Sequence, residues 1–162
     1  MNDMAHAVLR LLEENKIDHT LAEHPAVFNM EELYAQGLEH CDTIAKNLLV
    51  RDQKKRFYWL LVLYGEKRAD LKALKARLGH GALSFAGAEE LAELLGLTPG
   101  SVTPFGALND KEHRVTLLLD EDYRGKLIGV HPNDNTATVW LPADALVELL
   151  RQQGTTVEFI QF

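Results

Sequence analysis

The sequence has one cysteine, two serines and no long apolar run. Cys41 cannot form an internal disulfide, and its isolation is typical of a reducing compartment. Neither Ser84 nor Ser101 lies in a GxSxG pattern, so no serine-hydrolase elbow is predicted. The longest apolar run, residues 57–64, has eight residues, whereas a membrane span needs about 18. Because the N-terminus also lacks a signal-peptide pattern, we expect a cytoplasmic protein with no membrane partner.

Several motifs that bind phosphate, dinucleotides or metal are missing as well. The sequence contains no GxxxxGKS/T, no GxGxxG and no HExxH. Its seven histidines have no metal-ligand spacing, and a lone cysteine cannot build a zinc site. We therefore expect neither a metal nor a cofactor.

The acidic excess of the chain is interrupted by one basic stretch. The net charge is −7 over 162 residues, a length that predicts a single domain, residues 1–162. Residues 1–50 carry 3 basic and 9 acidic side chains, and residues 81–162 carry 5 and 12. Residues 51–80 carry 9 basic and 3 acidic side chains. Since local potential governs encounter, this stretch is either a phosphate-binding surface or an ordinary solvated face.

Helical and strand patterns alternate irregularly, which favours an α+β fold over a regular βαβ series. Apolar spacing and capping residues predict helices over residues 4–14, 30–38, 71–78, 88–95 and 143–152. Alternating or continuous apolar runs predict seven strands, over residues 19–23, 43–51, 57–64, 115–119, 127–131, 136–141 and 155–162.

Lys46 is the most unusual residue of these strands. Alternation along residues 43–51 places it on a face whose other members are aliphatic: Ile44, Leu48 and Val50. A lysine there must reach water, find a partner or point into a cavity. In a cavity, its ammonium would be a fixed donor for an anion, a carbonyl or a developing oxyanion.

Two loops have compositions that are suited to binding a ligand. Residues 99–106 hold two prolines and two glycines, so this loop is shaped and lets a ligand approach the backbone closely. At residues 131–136, a histidine ends a strand and a polar turn follows, which offers a ring nitrogen and amide donors. A rigid connector and a structural turn are the simpler interpretations of these two segments.

Four stretches in this order resemble the YbaK/ProX family of aminoacyl-tRNA deacylases, especially its freestanding branch. The same domain is inserted in bacterial prolyl-tRNA synthetases. The matching stretches are residues 45–52 (AKNLLVRD), 78–80 with 83–86 (LGH, LSFA), 99–106 with 109–110 (PGSVTPFG, ND) and 131–138 (HPNDNTAT). The resemblance implies a mixed, barrel-like sheet of six or seven strands flanked by helices.

The resemblance also implies an activity and a set of site residues. The family hydrolyses the ester between a wrong amino acid and tRNA, and this branch acts on alanine attached to the proline tRNA. The essential lysine falls on Lys46, the Gly-Ser substrate loop on Gly100 and Ser101, and the pocket histidine on His131, followed by Asn133. Phe28, Leu48 and Phe105 are the candidates for an apolar wall that excludes proline.

A mechanism follows from these assignments as a hypothesis. Lys46 would fix the terminal ribose and carbonyl region, and the backbone N–H groups of Gly100 and Ser101 would be oxyanion donors. His131 would shape the amino-acid pocket or hold the free amino group. Because the family chemistry is helped by the substrate's own 2′-hydroxyl, no strong protein nucleophile is required.

Misacylated tRNA is the expected partner, with prolyl-tRNA synthetase as a second candidate. Its acceptor end would contact the basic stretch through Arg51, Lys54, Lys55 and Arg56. Two alternatives stay open: a deacylase for another misacylated tRNA, such as one carrying cysteine, and a non-catalytic regulator that binds tRNA or an amino acid.

Overall fold

The computed structural model describes residues 1–162 and contains five α-helices and eight β-strands. The helices are α1 (Asp3–Glu14), α2 (Met30–Tyr34), α3 (Leu71–Leu78), α4 (Ala88–Leu95) and α5 (Ala143–Gln152). The strands are β1 (Thr20–Glu23), β2 (Lys46–Asp52), β3 (Tyr58–Leu63), β4 (Leu83–Phe85), β5 (Val115–Asp120), β6 (Leu127–Val130), β7 (Ala137–Pro142) and β8 (Val157–Ile160). None of the helices combines the length and the apolar character needed to cross a membrane.

The strands form two separate sheets. One sheet has three strands in the order β1-β7-β6, all antiparallel. The other has five strands in the order β4-β2-β3-β5-β8, in which β2 is antiparallel to its neighbours and β5 is parallel to both β3 and β8. The fold is therefore a mixed α+β arrangement, as predicted.

A single bridge joins the two sheets. Ile44, just before β2, pairs with Gly129 of β6, and the backbone N–H of Ala45 donates to the Gly129 carbonyl at 3.0 Å. Residue 129 has no room for a side chain, because a Cβ there would lie 2.6 Å from Nε1 of Trp140. The small residue lets the two backbones approach across the indole ring.

Three apolar clusters hold these layers together. The largest has 27 buried residues and fills the space between the sheets and helices α1, α4 and α5. A cluster of six lies under α3, on the other face of the five-stranded sheet, and a cluster of four lies under α2, where it includes Ile44 and Trp140. The α2 cluster packs directly beside the bridge between the sheets.

The predicted closure into one barrel-like sheet is not found. Pairing of β2 with β6 stops after Ile44, because β6 ends at Val130 and the chain then turns, with Asn133 at φ +61°. Closure would also need the edge strands β1 and β8 to pair, and they belong to different sheets. Instead β4 pairs with the far end of β2, opposite residues 50–52. This three-residue strand was not predicted, which is why eight strands replace six or seven.

Helix α2 is shorter than predicted, whereas three other helices have the predicted bounds. The side chain of Asn29 caps α2 by accepting from the Glu32 N–H at 2.8 Å, as its sequence position predicted. The helix nevertheless ends at Tyr34 and not at residue 38, because Gly37 adopts φ +63° two residues beyond its C-cap. Helices α3, α4 and α5 begin and end where capping residues predicted.

We predict that Gly129→Ala destabilises the protein by about 1–3 kcal/mol, the usual cost of overpacking. The added methyl group would meet Nε1 of Trp140 at 2.6 Å and Cγ1 of Ile44 at 2.9 Å, so the indole ring and the Ile44 side chain must both move. Urea unfolding measures the free energy. Gly81→Ala is the matched control, because its Cβ would meet no atom within 4 Å. Equal stabilities for the two variants would contradict this view of the junction.

Candidate active site

A cavity of about 310 Å³ opens where the two sheets meet. Its lining comes from five places in the chain: α2 with the residues before it, the start of β2, the loop at residues 100–102, the end of β6 and β7. The lining residues are Phe28, Asn29, Met30, Leu33, Ile44, Ala45, Lys46, Asn47, Leu48, Gly100, Val102, Val130, His131 and Thr138. Segments that are distant in the chain thus converge on one small volume.

The cavity lies along a free edge of β2. Residues 46–48 pair with β3 on one side, whereas β4 pairs only with residues 50–52 on the other. Four consecutive residues, 45–48, line the cavity. Side chains of a strand alternate between its faces, so consecutive lining residues mark an edge and not a face. The gap between the bridge at Ile44 and β4 is therefore the site itself.

Lys46 is the one acidic or basic side chain in the lining apart from the histidine. It is half-buried, and no carboxylate lies within 4.0 Å of its ammonium. No Asp or Glu lines the cavity. The positive charge is therefore free to bind an anionic or strongly polarised oxygen of a ligand.

The rim at Phe28 is fixed by backbone contacts. The Phe28 N–H donates to Oε2 of Glu32 at 2.8 Å, and the neighbouring Val27 carbonyl accepts from Nδ2 of Asn135 at 2.8 Å. Gly100 packs against this segment with φ +84°, and a Cβ there would lie 2.5 Å from the Phe28 carbonyl oxygen. Phe28 itself is 59% exposed. The loop at residue 100 can approach this closely because that position is glycine.

His131 presents a neutral ring to the cavity. Its Nδ1 lies 2.8 Å from the carbonyl oxygen of Ala137, so this nitrogen carries the proton and donates. Nε2 is then left with a lone pair. Desolvation by burial lowers the pKa of His131 below its usual 6.5, and repulsion from His24, when that ring is protonated, acts in the same direction. The Ala137 contact and Asp134 oppose this shift only in part.

Two further polar residues, which the sequence did not single out, line the cavity. Oδ1 of Asn47 is buried and has no hydrogen-bond partner, while its Nδ2 donates to the Ala45 carbonyl at 3.4 Å. The buried Thr138 hydroxyl lies 2.9 Å from Nε2 of His24, whose Nδ1 lies 2.9 Å from the Pro25 carbonyl oxygen. In the tautomer that these contacts select, Thr138 donates to His24. An unpaired buried acceptor costs about 1–3 kcal/mol, which a ligand donor at Asn47 would recover.

The structure brings some of the predicted residues together and leaves others apart. Lys46, Gly100, His131, Phe28 and Leu48 all line the cavity. Ser101, Phe105 and Asn133 do not.

Each of these three residues is engaged elsewhere. The Ser101 N–H, expected as an oxyanion donor, donates to the Thr98 carbonyl at 3.0 Å. Phe105 is fully buried in the main core, so it does not form the wall of the cavity. Asn133 is buried, and its Nδ2 donates to the Phe105 carbonyl at 3.1 Å. The Gly100 N–H, by contrast, has no acceptor within the chain.

Three of the nine basic side chains in the basic stretch make ion pairs. Arg51 bonds to Glu90 at 3.1 Å, and Arg56 lies 3.5 Å from Asp52. Lys67 is held by two carboxylates, those of Asp120 at 2.9 Å and Asp122 at 2.7 Å. Lys54 and Lys55, at the turn between β2 and β3, are exposed and make no ion pair. Of the four side chains predicted to contact tRNA, only these two lysines make no ion pair within the protein.

Fold and cavity together define a class of protein. It is an α+β domain whose cavity offers one lysine, neutral acceptors and apolar walls, but no metal cluster of three or more His, Cys, Asp or Glu. Such a site suits a small molecule that carries hydrogen-bond donors, a short apolar group and a polarisable oxygen.

Known proteins are similar to this chain in sequence and in fold. Residues 24–149 match the aminoacyl-tRNA editing domain family. The prolyl-tRNA editing protein ProX of Acetoanaerobium sticklandii is 40% identical over 160 residues, covering 98% of both chains. Prolyl-tRNA synthetase associated domain-containing protein 1 of Danio rerio is 34% identical and covers 96% of this chain and 86% of its own. A solved structure described as a candidate trans-editing enzyme for prolyl-tRNA synthetase superposes with a TM-score of 0.73 at 25% identity, over 100% of this chain and 99% of the other.

The chain belongs to the aminoacyl-tRNA editing domain family. The resemblance seen in the four sequence stretches, and the deacylase class that it implied, are thereby confirmed.

We predict that the neutral state of His131 makes part of the stability depend on pH. Its pKa is lowered in the folded state, so below pH 6.5 the unfolded chain binds more protons at this residue than the folded chain. Stability should therefore fall as the pH drops from 7 to 5, and more steeply in the wild type than in His131→Gln. Urea unfolding at several pH values measures both slopes. Identical slopes would show that His131 titrates alike in both states.

Proposed function

We propose that this protein is a trans-editing hydrolase that cleaves the aminoacyl ester of mischarged proline tRNA in the cytoplasm. The whole chain would act as one editing domain, with alanine as the preferred amino acid. The observation that carries the proposal is the free charge of Lys46 in a cavity that holds no carboxylate. The names of the relatives, with prolyl-tRNA editing among them, support the choice of tRNA.

The charges of the cavity match an aminoacyl ester. Hydrolysis places negative charge on the ester carbonyl oxygen in the transition state, and an ammonium in a partly dry site stabilises it. Lys46 provides this charge, and the unengaged N–H of Gly100 can provide a neutral donor from another wall of the cavity. The Ser101 N–H is committed to Thr98 and drops out of the mechanism.

The bond changes need water and no protein nucleophile. The oxygen of a water molecule adds to the carbonyl carbon, the bond between that carbon and the ribose oxygen breaks, and the ribose oxygen takes up a proton. The products are tRNA with a free terminal ribose and an amino acid. No serine or cysteine lines the cavity, which agrees with a reaction assisted by the neighbouring ribose hydroxyl of the substrate.

The neutral acceptors suit the amino group of the substrate. An α-ammonium has three N–H donors, and among the side chains that line the cavity Nε2 of His131 and Oδ1 of Asn47 are acceptors without a partner. A carboxylate in their place would pair with Lys46 and neutralise it. Neutral acceptors thus bind the amino group while Lys46 stays available to the carbonyl.

Size selection would come from the apolar side chains of the cavity. Met30, Leu33 and Ile44 bound it near α2, and Val102 and Val130 contribute from the loop and from β6. Synthetases discriminate weakly against smaller apolar substrates, because each missing methylene is worth only about 1–3 kcal/mol. A second pocket that admits alanine but excludes proline corrects that error.

Deacylation assays with alanyl, cysteinyl and prolyl esters of proline tRNA test the proposal. We expect rapid hydrolysis of the alanyl ester and none of the prolyl ester. Preference for the cysteinyl ester would support a deacylase whose substrate carries cysteine in place of alanine. No turnover of any ester would leave a binding protein and contradict the proposed activity.

We predict that Lys46→Ala lowers kcat by about 10²–10³-fold, the usual effect of removing one transition-state donor. Circular dichroism and urea unfolding should show an intact fold, since Lys46 makes no ion pair. Lys111→Ala, an exposed lysine outside the cavity, is the matched control and should keep full activity. Undiminished turnover by Lys46→Ala would remove this residue from the mechanism.

We also predict that reversing both free lysines, Lys54→Glu with Lys55→Glu, weakens tRNA binding. If both lysines touch phosphates, the slope of log Kd against log salt should fall by about 1–2, because each neutralised phosphate contributes about 0.9 to that slope. The double variant Lys16→Glu with Lys111→Glu changes the net charge equally at other exposed positions. The same weakening in both double variants would assign the effect to net charge and not to the turn.

A further inference from the structure

Three of the five large apolar side chains exposed on this protein are phenylalanines, namely Phe28, Phe57 and Phe85. Phe28 borders the cavity, and Phe85 and Phe57 lie further along the β2–β3–β4 region, 54% and 45% exposed. Neither Phe57 nor Phe85 belongs to the three buried clusters. Because exposed rings of this size contribute little to the core, they indicate a contact surface.

Strand register places Phe85 on the same face of the sheet as Lys46. Side chains alternate along β2, so Lys46, Leu48 and Val50 point to one face. Phe85 of β4 pairs directly with Val50, and paired residues share a face. Four residues at about 3.3 Å each separate Lys46 from the level of Phe85, a distance of about 13 Å. The exposed ring therefore lies on the face of Lys46, on the strand that takes the edge of β2 beyond the half-buried Leu48, while Val50 itself is buried.

Phe57 lies at the far end of β2. Its ring stacks on Trp59 with the centroids 6.2 Å apart and 26° between the planes, and it meets His80 at 4.8 Å. The edge of His80 also packs on Trp59 at 4.9 Å. Trp59 is buried, so Phe57 is a ring held in place from below and still 45% exposed.

Positive charge accompanies these rings. The Arg56 guanidinium lies 5.8 Å from the centre of the Phe57 ring, and the free lysines of the β2–β3 turn, Lys54 and Lys55, precede it in the chain. Asp52, the carboxylate of that turn, is already engaged by Arg56 and by two backbone N–H groups. Exposed rings between cations are typical of surfaces that bind single-stranded nucleic acid.

We propose that Phe85 and Phe57 form a stacking track for the unpaired 3′ end of the tRNA, which leads from the cavity to the basic turn. With the terminal ester beside Lys46, the bases before it would lie over Phe85, and the end of the paired stem would reach Lys54 and Lys55. Rings stack on any base, so this track holds and directs the strand without reading its sequence. The inference rests on the proposed function for the identity of its ligand.

Binding of uncharged proline tRNA tests this track apart from catalysis. The probes are the intact tRNA and the same tRNA without its unpaired 3′ nucleotides, each with wild-type protein and with Phe85→Ala. We expect Phe85→Ala to raise the Kd for intact tRNA by about 5- to 150-fold, the usual effect of removing one stacking ring. It should leave the Kd for the shortened tRNA unchanged.

Two further variants separate stacking from apolar packing. Phe85→Trp should keep the wild-type affinity, while Phe85→Leu, which retains apolar volume but no ring, should lose it. Leu127→Ala, an exposed apolar side chain of the other sheet, is the matched control. Equal weakening with intact and shortened tRNA would place Phe85 away from the 3′ end, and no weakening with either would exclude Phe85 from the contact with tRNA; both results overturn the inference.

Catalysis distinguishes failure of the track from failure of the proposed function. If alanyl-tRNA is not hydrolysed by the wild type but Phe85 still couples to the 3′ end in binding, the function is wrong and the track stands. If hydrolysis is normal and Phe85→Ala changes neither binding nor kcat/KM, the track is wrong and the function stands. Hydrolysis of an alanyl ester of adenosine alone should be insensitive to Phe85→Ala.

Discussion

The bridge between Ile44 and Gly129 is the contact on which the site depends. It joins the two sheets through a single residue pair. On the same edge of β2, the next strand to pair is β4, and its pairing begins only at residue 50. Between these points the start of β2 is left without a strand neighbour on that side, and the cavity fills the gap. A longer pairing of β2 with β6 would merge the two sheets and fill the gap that forms the site. The absence of a side chain at residue 129, beside Trp140, sets the closeness of this junction.

The electrostatics of the cavity follow from what surrounds Lys46. Its neighbours in the lining are apolar or neutral, and several carboxylates of the protein are engaged elsewhere, including those that hold Lys67 and Arg51. His131 stays neutral because burial lowers its pKa and because Nδ1 is committed to a backbone carbonyl. The single positive charge attracts the carbonyl oxygen of an aminoacyl ester, and the neutral acceptors bind its amino group. Division of the site into these two parts is what a hydrolase for aminoacyl esters needs.

Local signals in the sequence predicted helices well and the sheet connections poorly. Helix α3 begins after Asp70 and ends at Gly79, both of which act within one turn. The barrel prediction failed because pairing between β6 and β2 depends on residues about 85 positions apart, and β4 is too short to show a period. Lys46 could be found because alternation makes a lysine conspicuous on an aliphatic face. Thr138 could not, since its role depends on His24, 114 residues away, and Phe105 turns into the core from a loop that has no period to reveal it.

The central claim is that the aminoacyl group binds in the gap beside β2 with its carbonyl at Lys46. A crystal structure with a non-hydrolysable alanyl amide of the terminal adenosine measures this directly. The account predicts the alanyl side chain against Leu33 and Ile44 and the carbonyl oxygen within hydrogen-bond distance of the Lys46 ammonium. Binding of the analogue in another cavity, such as the one beside Trp140 and His19, would contradict it. So would a pose in the gap that leaves Lys46 without contact to the carbonyl.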